Sequence, residues 1–205
     1  MIKKIVSVWD NDGLIYDNVK FLKQKTKQVH LPAGTSTKQI IQDLLDTYSV
    51  IPCAGIAANQ IGYNKRIFVG MKELLEDDDV DEIEEQEARH TEANGNPNAD
   101  NYEIYINPRI DVTKNAQCDV EGCLSVPEVQ MTVHRSEKIK VRYYTTDGHV
   151  VKKTLTGFMA KLFQHELDHL DGRLMIDNQV EEVEYLNNAK KEQLADLYEF
   201  WKTLS

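Results

Sequence analysis

Two histidines four residues apart, His165 and His169, stand in the segment QHELDHLDG, with Glu166 directly after the first. On a helix, residues i and i+4 share a face about one turn apart, so both imidazoles can reach one ion. Glu166 is then rotated about 100° from His165, near enough to act on a bound water without being a ligand. This is the logic of H-E-x-x-H metal hydrolases, in which one rigid element delivers two ligands and a general base. The competing reading is a charged helix whose histidines sit beside a salt-bridge network.

A catalytic metal site takes three protein ligands and keeps one position open. His30, His90, His134 and His149 lie in segments that show no sign of a site. Cys123, in the small, tight stretch EGCLS, is better placed, and a thiolate with two imidazoles suits Fe(II), Zn(II), Co(II) or Ni(II). Taken alone, Cys123 also reads as a buried, inert core cysteine. Glu181, Glu182 and Glu184 lie downstream and offer a carboxylate as third ligand, as in an H-E-x-x-H metalloprotease.

The histidine segment needs a scaffold. Phe158 to Leu170 reads as a helix, because Phe158, Leu162, Phe163, Leu167 and Leu170 form an apolar stripe that would anchor it in a core. A second helix is signalled from Ser36, with Ser36 or Thr37 as cap and Ile40, Ile41, Leu44, Leu45 and Tyr48 at helical spacing. Pro52 closes that region. A last helix is expected over about 183–204, with Leu194, Leu197, Trp201 and Leu204 on one side. Between these lie strand-like runs: RIFVG, YEIYINPRI stopped by Pro108, QMTVHRSEKIKVRYYTT, and HVVKKTLTG, with Asp147-Gly148 as a hairpin turn before the last. Residues 1–35 read as irregular, apart from a short strand at IKKIVSV.

The chain has 205 residues and 41% hydrophobic content, enough for one core and one domain spanning 1–205. No run approaches the roughly 20 apolar residues that span a bilayer, and the first residues are too short an apolar stretch for a secretory signal. The three cysteines, Cys53, Cys118 and Cys123, are too few for a disulfide framework and fit a reducing cytoplasm. The net charge of −10 is local: eleven acids against Arg89 fall between Glu73 and Gly95. The rest of the chain is neutral, which argues against nucleic-acid binding. The acidic stretch, about 72–100, reads as a solvated, mobile insertion.

Three segments stand in order: AGIAANQ, EGCLS and QHELDH. This ordered trio resembles the peptide deformylases, whose sequences carry a glycine-rich G-x-G-x-A-A-x-Q stretch, E-G-C-x-S and Q-H-E-x-D-H. The resemblance runs from about Gly34 to Asp177 and includes YINPRI and GFMAKLFQHE. It implies an α+β fold, with antiparallel strands packed around a central helix that carries the HExxH motif, plus the C-terminal helix. It implies a hydrolase that removes the formyl group from the N-terminal formyl-methionine of new polypeptides. Cys123, His165 and His169 would be the metal ligands, with Fe(II) the native ion and Zn, Ni or Co able to replace it. Glu166 would be the general acid/base, and Gln60 and the Leu124 backbone N–H would stabilise the oxyanion. Gly55 and Ile56 would lie along the substrate, with Gly55 allowing close backbone approach. Glu121 would brace the loop by pairing with Arg135.

Two positions depart from the family pattern. Cys53 replaces the first glycine of the glycine-rich stretch, and Gln130 stands where many bacterial members have an arginine beside the methionine pocket. Both bear on substrate preference and turnover, so a non-catalytic or altered-specificity relative is the main alternative. The implied partners are formyl-methionyl peptide N-termini, with transient ribosome contact left open, no specific nucleic-acid binding and no membrane. The expected location is the cytoplasm.

Overall fold

The computed structural model describes residues 1–72 and 95–204; most of the acidic stretch, 73–94, lies outside the described residues. Among the described residues eight antiparallel strands form two sheets. The first five-stranded sheet holds β1 (Gly55–Ala57), β2 (Ile67–Met71), β3 (Tyr102–Lys114), β6 (Lys138–Tyr144) and β7 (Val150–Thr156), in that order. The second holds β4 (Gln117–Cys123), β5 (Val126–Arg135) and β8 (Val180–Tyr185). The helices among the described residues are α1 (Tyr16–Leu22), α2 (Thr35–Tyr48), α3 (Gly157–Leu170) and α4 (Lys190–Thr203). Among the described residues no helix is long and apolar enough to cross a membrane.

Helix α3 forms because its apolar positions recur on one face, and that face is covered by the five-stranded sheet. Leu162, Phe163, Leu167 and Leu170 are buried with Phe68, Tyr105, Val141 and Tyr143. Phe68 stacks on Tyr105 at 4.3 Å between ring centroids, and Phe163 meets both rings edge-on, a favoured aromatic geometry. Gln164 fixes the helix lengthwise: its amide donates to Ser136 O at 2.8 Å and accepts from Ser136 N at 2.9 Å. Past the C-terminal end, Arg66 holds Asp171 at 2.8 Å. The two-histidine helix is thus central to an α+β fold, held at its middle by Gln164 and just past its C-terminal end by Asp171.

The other helices cover separate faces. Helix α2 packs Ile40, Ile41, Leu44 and Tyr48 on β1 and β2. Helix α4 packs Leu194, Leu197 and Trp201 under the three-stranded sheet, and Trp201 Nε1 donates to Asp177 Oδ1 at 2.8 Å.

Several local expectations are corrected. The C-terminal helix begins at Lys190, not near 183, because Val180–Tyr185 pair with β5 as a strand. IKKIVSV forms no strand, and Tyr16–Leu22 is helical. Helix α2 starts at Thr35 with Gly34 in the cap position and no side-chain cap, so neither Ser36 nor Thr37 caps it. Pro108 does not stop its strand: β3 continues to Lys114 through an irregularity between Ile106 and Arg109, with Asn107 at φ 49°. Proline is tolerated at such a bulge because no ladder hydrogen bond is required of it there. The stretch QMTVHRSEKIKVRYYTT is two strands, β5 and β6, broken at Ser136. Of the stretch read as a mobile insertion, residues 95–100 are described, and Asn96 among them is buried. Its side chain donates to Tyr48 O at 2.9 Å and Cys53 O at 3.0 Å.

Candidate metal centre

Strand β4 and helix α3 bring the sulfur and both imidazoles together. The ligand atoms of Cys123, His165 and His169 all lie within 4.8 Å of one another. Cys123 Sγ is 3.3 Å from His169 Nε2. Alternation along β4 turns Glu121 and Cys123 to the buried side, facing α3. The helix presents His165 and His169 one turn apart, with rings 5.1 Å between centroids.

The His165 ring is oriented from behind. His165 Nδ1 lies 2.9 Å from Glu121 Oε2, which leaves Nε2 for an ion. Glu121 is itself gripped by Arg135 through two 2.8 Å hydrogen bonds, and Arg135 reaches on to Asp168. Burial alone would raise the Glu121 pKa, but Arg135 and His165 outweigh it and hold the carboxyl at about 2. At the other ligand, Asn59 Nδ2 donates to the His169 carbonyl at 2.6 Å. Asp168, Asn59 and Ser125 were missed in the sequence reading, although they lie inside the quoted motifs QHELDH, AGIAANQ and EGCLS.

The electrostatics favour a cation. Burial opposes the Cys123 thiolate, yet the neighbouring His169 and His165 rings bring its pKa down to about 5. The Glu166 carboxyl is buried and pushed up to about 7 by desolvation, against the pull of His165 and His169. Among the described residues its Oε2 has no hydrogen-bond partner, and neither does His169 Nδ1. A thiolate, two imidazoles and an unpartnered buried carboxyl fit a divalent ion with an open coordination position.

These groups border a cleft of about 580 Å³ lined by Cys53, Gly55, Gln60, Glu121, Cys123, Leu124, Gln130, His165 and Glu166 among others. Ile56 does not line it: its side chain is fully buried in the core beside α2, because strand alternation turns it away from the cleft. Gln60 accepts from Ala57 N at 2.9 Å through Oε1, which aims Nε2 at Ser125 Oγ, 3.3 Å away, and Cys123 Sγ, 3.9 Å away. Gly55 has a tighter reason to be glycine than substrate approach alone. A Cβ there would stand 2.7 Å from Glu166 Oε1. The Cys53 thiol is partly buried, and its pKa is pushed up to about 12 by desolvation and by Glu166.

The downstream carboxylates are elsewhere. Glu181 lies on β8 against His134, 2.7 Å from its Nε2, and Glu182 and Glu184 are exposed on the same strand.

The family model described as polypeptide deformylase matches residues 12–185. The chain belongs to the polypeptide deformylase family. As a deformylase it is a metal-dependent hydrolase that removes the formyl group from the N-terminal formyl-methionine of new polypeptides. A peptide deformylase of Dictyoglomus thermophilum is 34% identical over 161 residues, covering 78% of this chain and 88% of that one. The crystal structure of a deformylase from Legionella pneumophila superposes with a TM-score of 0.67 at 26% identity, covering 99% of this chain and 97% of that one. A class I type b deformylase from Acinetobacter baumannii, solved with Met-Ala-Ser bound, gives a TM-score of 0.65 at 25% identity over 87% of this chain and 99% of that one.

Proposed function

We propose that this deformylase holds its metal on Cys123, His165 and His169 and moves protons through Glu166. The observation that carries the assignment is the convergence of those three ligand atoms within 4.8 Å beside a buried carboxyl with an unpartnered oxygen. Fe(II) is the native ion in this reading; Zn, Ni and Co suit the same donor set. When bound, the ion supplies Lewis acidity toward water and the formyl oxygen.

The rest of the chemistry belongs to the chain's own groups. Glu166, with a pKa raised to about 7, takes a proton from the attacking water and returns it to the departing amine, a role that needs a pKa near the working pH. Gln60 Nε2, aimed by the Ala57 N–H, and the Leu124 N–H donate to the developing oxyanion. Glu121 and Arg135 hold the His165 ring in place. Gly55 and the neighbouring backbone receive the peptide. The apolar wall of Val129, Leu162 and Phe158 along the cleft accepts the methionine side chain, with Gln130 and Cys53 shaping its ends. The substrates are formylated nascent chains; in this reading the enzyme works in a bacterial-type cytoplasm, with transient ribosome contact.

The test is formate release from a short formyl-Met peptide by protein loaded with Fe(II) or Ni(II) without oxygen. Turnover in the wild type, absent in Cys123→Ala together with the bound metal, is expected. One tightly bound metal per chain without turnover would instead support the non-catalytic reading, with Cys53 and Gln130 as the altered positions.

A further inference from the structure

A second group of metal-ligand side chains lies outside the cleft. Cys118, His134 and Glu181 each offer one ligand atom, and these atoms also lie within 4.8 Å of one another. They sit abreast on the three strands of the smaller sheet. Cys118 on β4 is the direct partner of His134 on β5. The even-numbered side chains Cys118, Val120 and Gly122 of β4 face away from the buried side that carries Glu121 and Cys123. On β5 the exposed alternation is the same, with His134 outward between buried Val133 and Arg135.

Glu181 reaches this face through an irregularity in the sheet. Thr132 pairs with Glu182, but Val133 pairs with Val180, so Glu181 is an extra residue in β8. In an unbroken ladder it would pair with Val133 and point into the core. The bulge instead leaves Glu181 and Glu182 both exposed, while Val180 and Val183 pack inward. A bulge of this kind re-aims a side chain; here it sets Glu181 Oε1 2.7 Å from His134 Nε2.

We propose that Cys118, His134 and Glu181 form a second, solvent-facing site for a divalent transition metal of the zinc class. One thiolate, one imidazole and one carboxylate match the preferred donors of such ions, and solvent completes the tetrahedron. The backbone is preset by three paired strands. The side chains need only small movements: ligand atoms around zinc stand about 3.3–3.7 Å apart, so the His134–Glu181 pair must open by about half an ångström. Both are free to do so, at 31% and 53% exposure. Binding displaces the Cys118 thiol proton and any proton shared between His134 and Glu181. The site is separate from the cleft, since Cys118 lies five residues before Cys123, roughly 17 Å along an extended strand, and on its opposite face.

The probe is Zn(II) alone, dialysed against metal-free full-length protein at micromolar free metal and counted per chain. Two zinc ions per chain are expected in the wild type, and one in each of Cys118→Ser and His134→Ala, with formate release by the reloaded variants unchanged. A second readout uses Co(II) in Cys123→Ser, which removes the thiolate of the cleft. A near-ultraviolet thiolate-to-cobalt band should remain there and vanish when Cys118→Ser is added. A wild type that takes up only one zinc, a second zinc that persists in both surface variants, or a cobalt band indifferent to Cys118 would overturn the proposal.

Discussion

Gly55 faces Glu166 so closely that a Cβ on residue 55 would stand 2.7 Å from the carboxylate Oε1 and 2.9 Å from Leu162 Cδ1. Real Cβ atoms do not approach other atoms this closely, so the glycine reserves the space that the Glu166 carboxylate occupies. A substitution at 55 therefore acts first on Glu166 and only second on the substrate.

Gly55→Ala should leave a folded protein with its metal and lower kcat. Overpacking of this kind costs about 1–3 kcal/mol of stability, and a displacement of about 1 Å at a catalytic group can cost about 10²-fold in rate. Steady-state kinetics with a formyl-Met peptide, alongside thermal unfolding, separates the two. A variant with wild-type kcat would show that Glu166 does not depend on this gap.

Glu121→Gln should weaken metal binding by about 10–100-fold, the usual effect of removing the group that orients a ligating histidine. The glutamine can still accept from His165 but leaves Arg135 without half of its buried charge pairing, so stability should fall as well, since breaking a buried pair costs about 3–5 kcal/mol. Competition of loaded protein against a chelator reads the first effect, and denaturant unfolding the second.

Asn96 ties the end of the acidic stretch to the rim of the cleft through the carbonyls of Tyr48 and Cys53. Asn96→Ala leaves two partly buried carbonyls unpaired, at a cost of about 1–3 kcal/mol. The rim formed by Pro52, Cys53 and Ala54 should loosen, and KM should rise more than kcat falls. Equal effects on both parameters would place Asn96 in general stability alone.

Trp201→Ala should destabilise by about 3–5 kcal/mol, because Trp201 is 4% exposed in the core under β4, β5 and β8. Its hydrogen bond to Asp177 is lost with it. At temperatures where the variant is folded, formate release per loaded site should stay near that of the wild type.

The pairing of His165 with His169 was legible in the sequence because it rests on local spacing. His165 and His169 need only a helix to meet, and the stripe from Phe158 to Leu170 predicts that helix within one residue of its observed start. Cys123 was harder, since its place beside the histidines depends on the fold of β4 against α3; the tight stretch EGCLS made it a candidate, and the resemblance to the deformylase motif set that candidate above the reading as an inert core cysteine. What depends on pairing between distant strands was not legible. Val180–Tyr185 carries acids at helix-compatible spacing and becomes a strand only because β5 offers an edge. His134 showed no sign of a site because Cys118 and Glu181 lie 16 and 47 residues away and meet it only across the sheet. The burial of the Ile56 side chain was not legible either, since three residues of strand give too short a pattern to tell which side chains face the core.

Glu166→Gln tests the central claim most directly. The amide keeps the shape of the side chain and the two histidines and Cys123 are untouched, so the variant should retain the cleft metal at wild-type affinity. Without a group that can take and return the proton, formate release should fall by about 10²–10⁴-fold. Metal content measured together with formate release decides the matter: metal retained and turnover lost is the expected result, and a metal-loaded Glu166→Gln enzyme that turns over at the wild-type rate would contradict the assignment of proton transfer to Glu166.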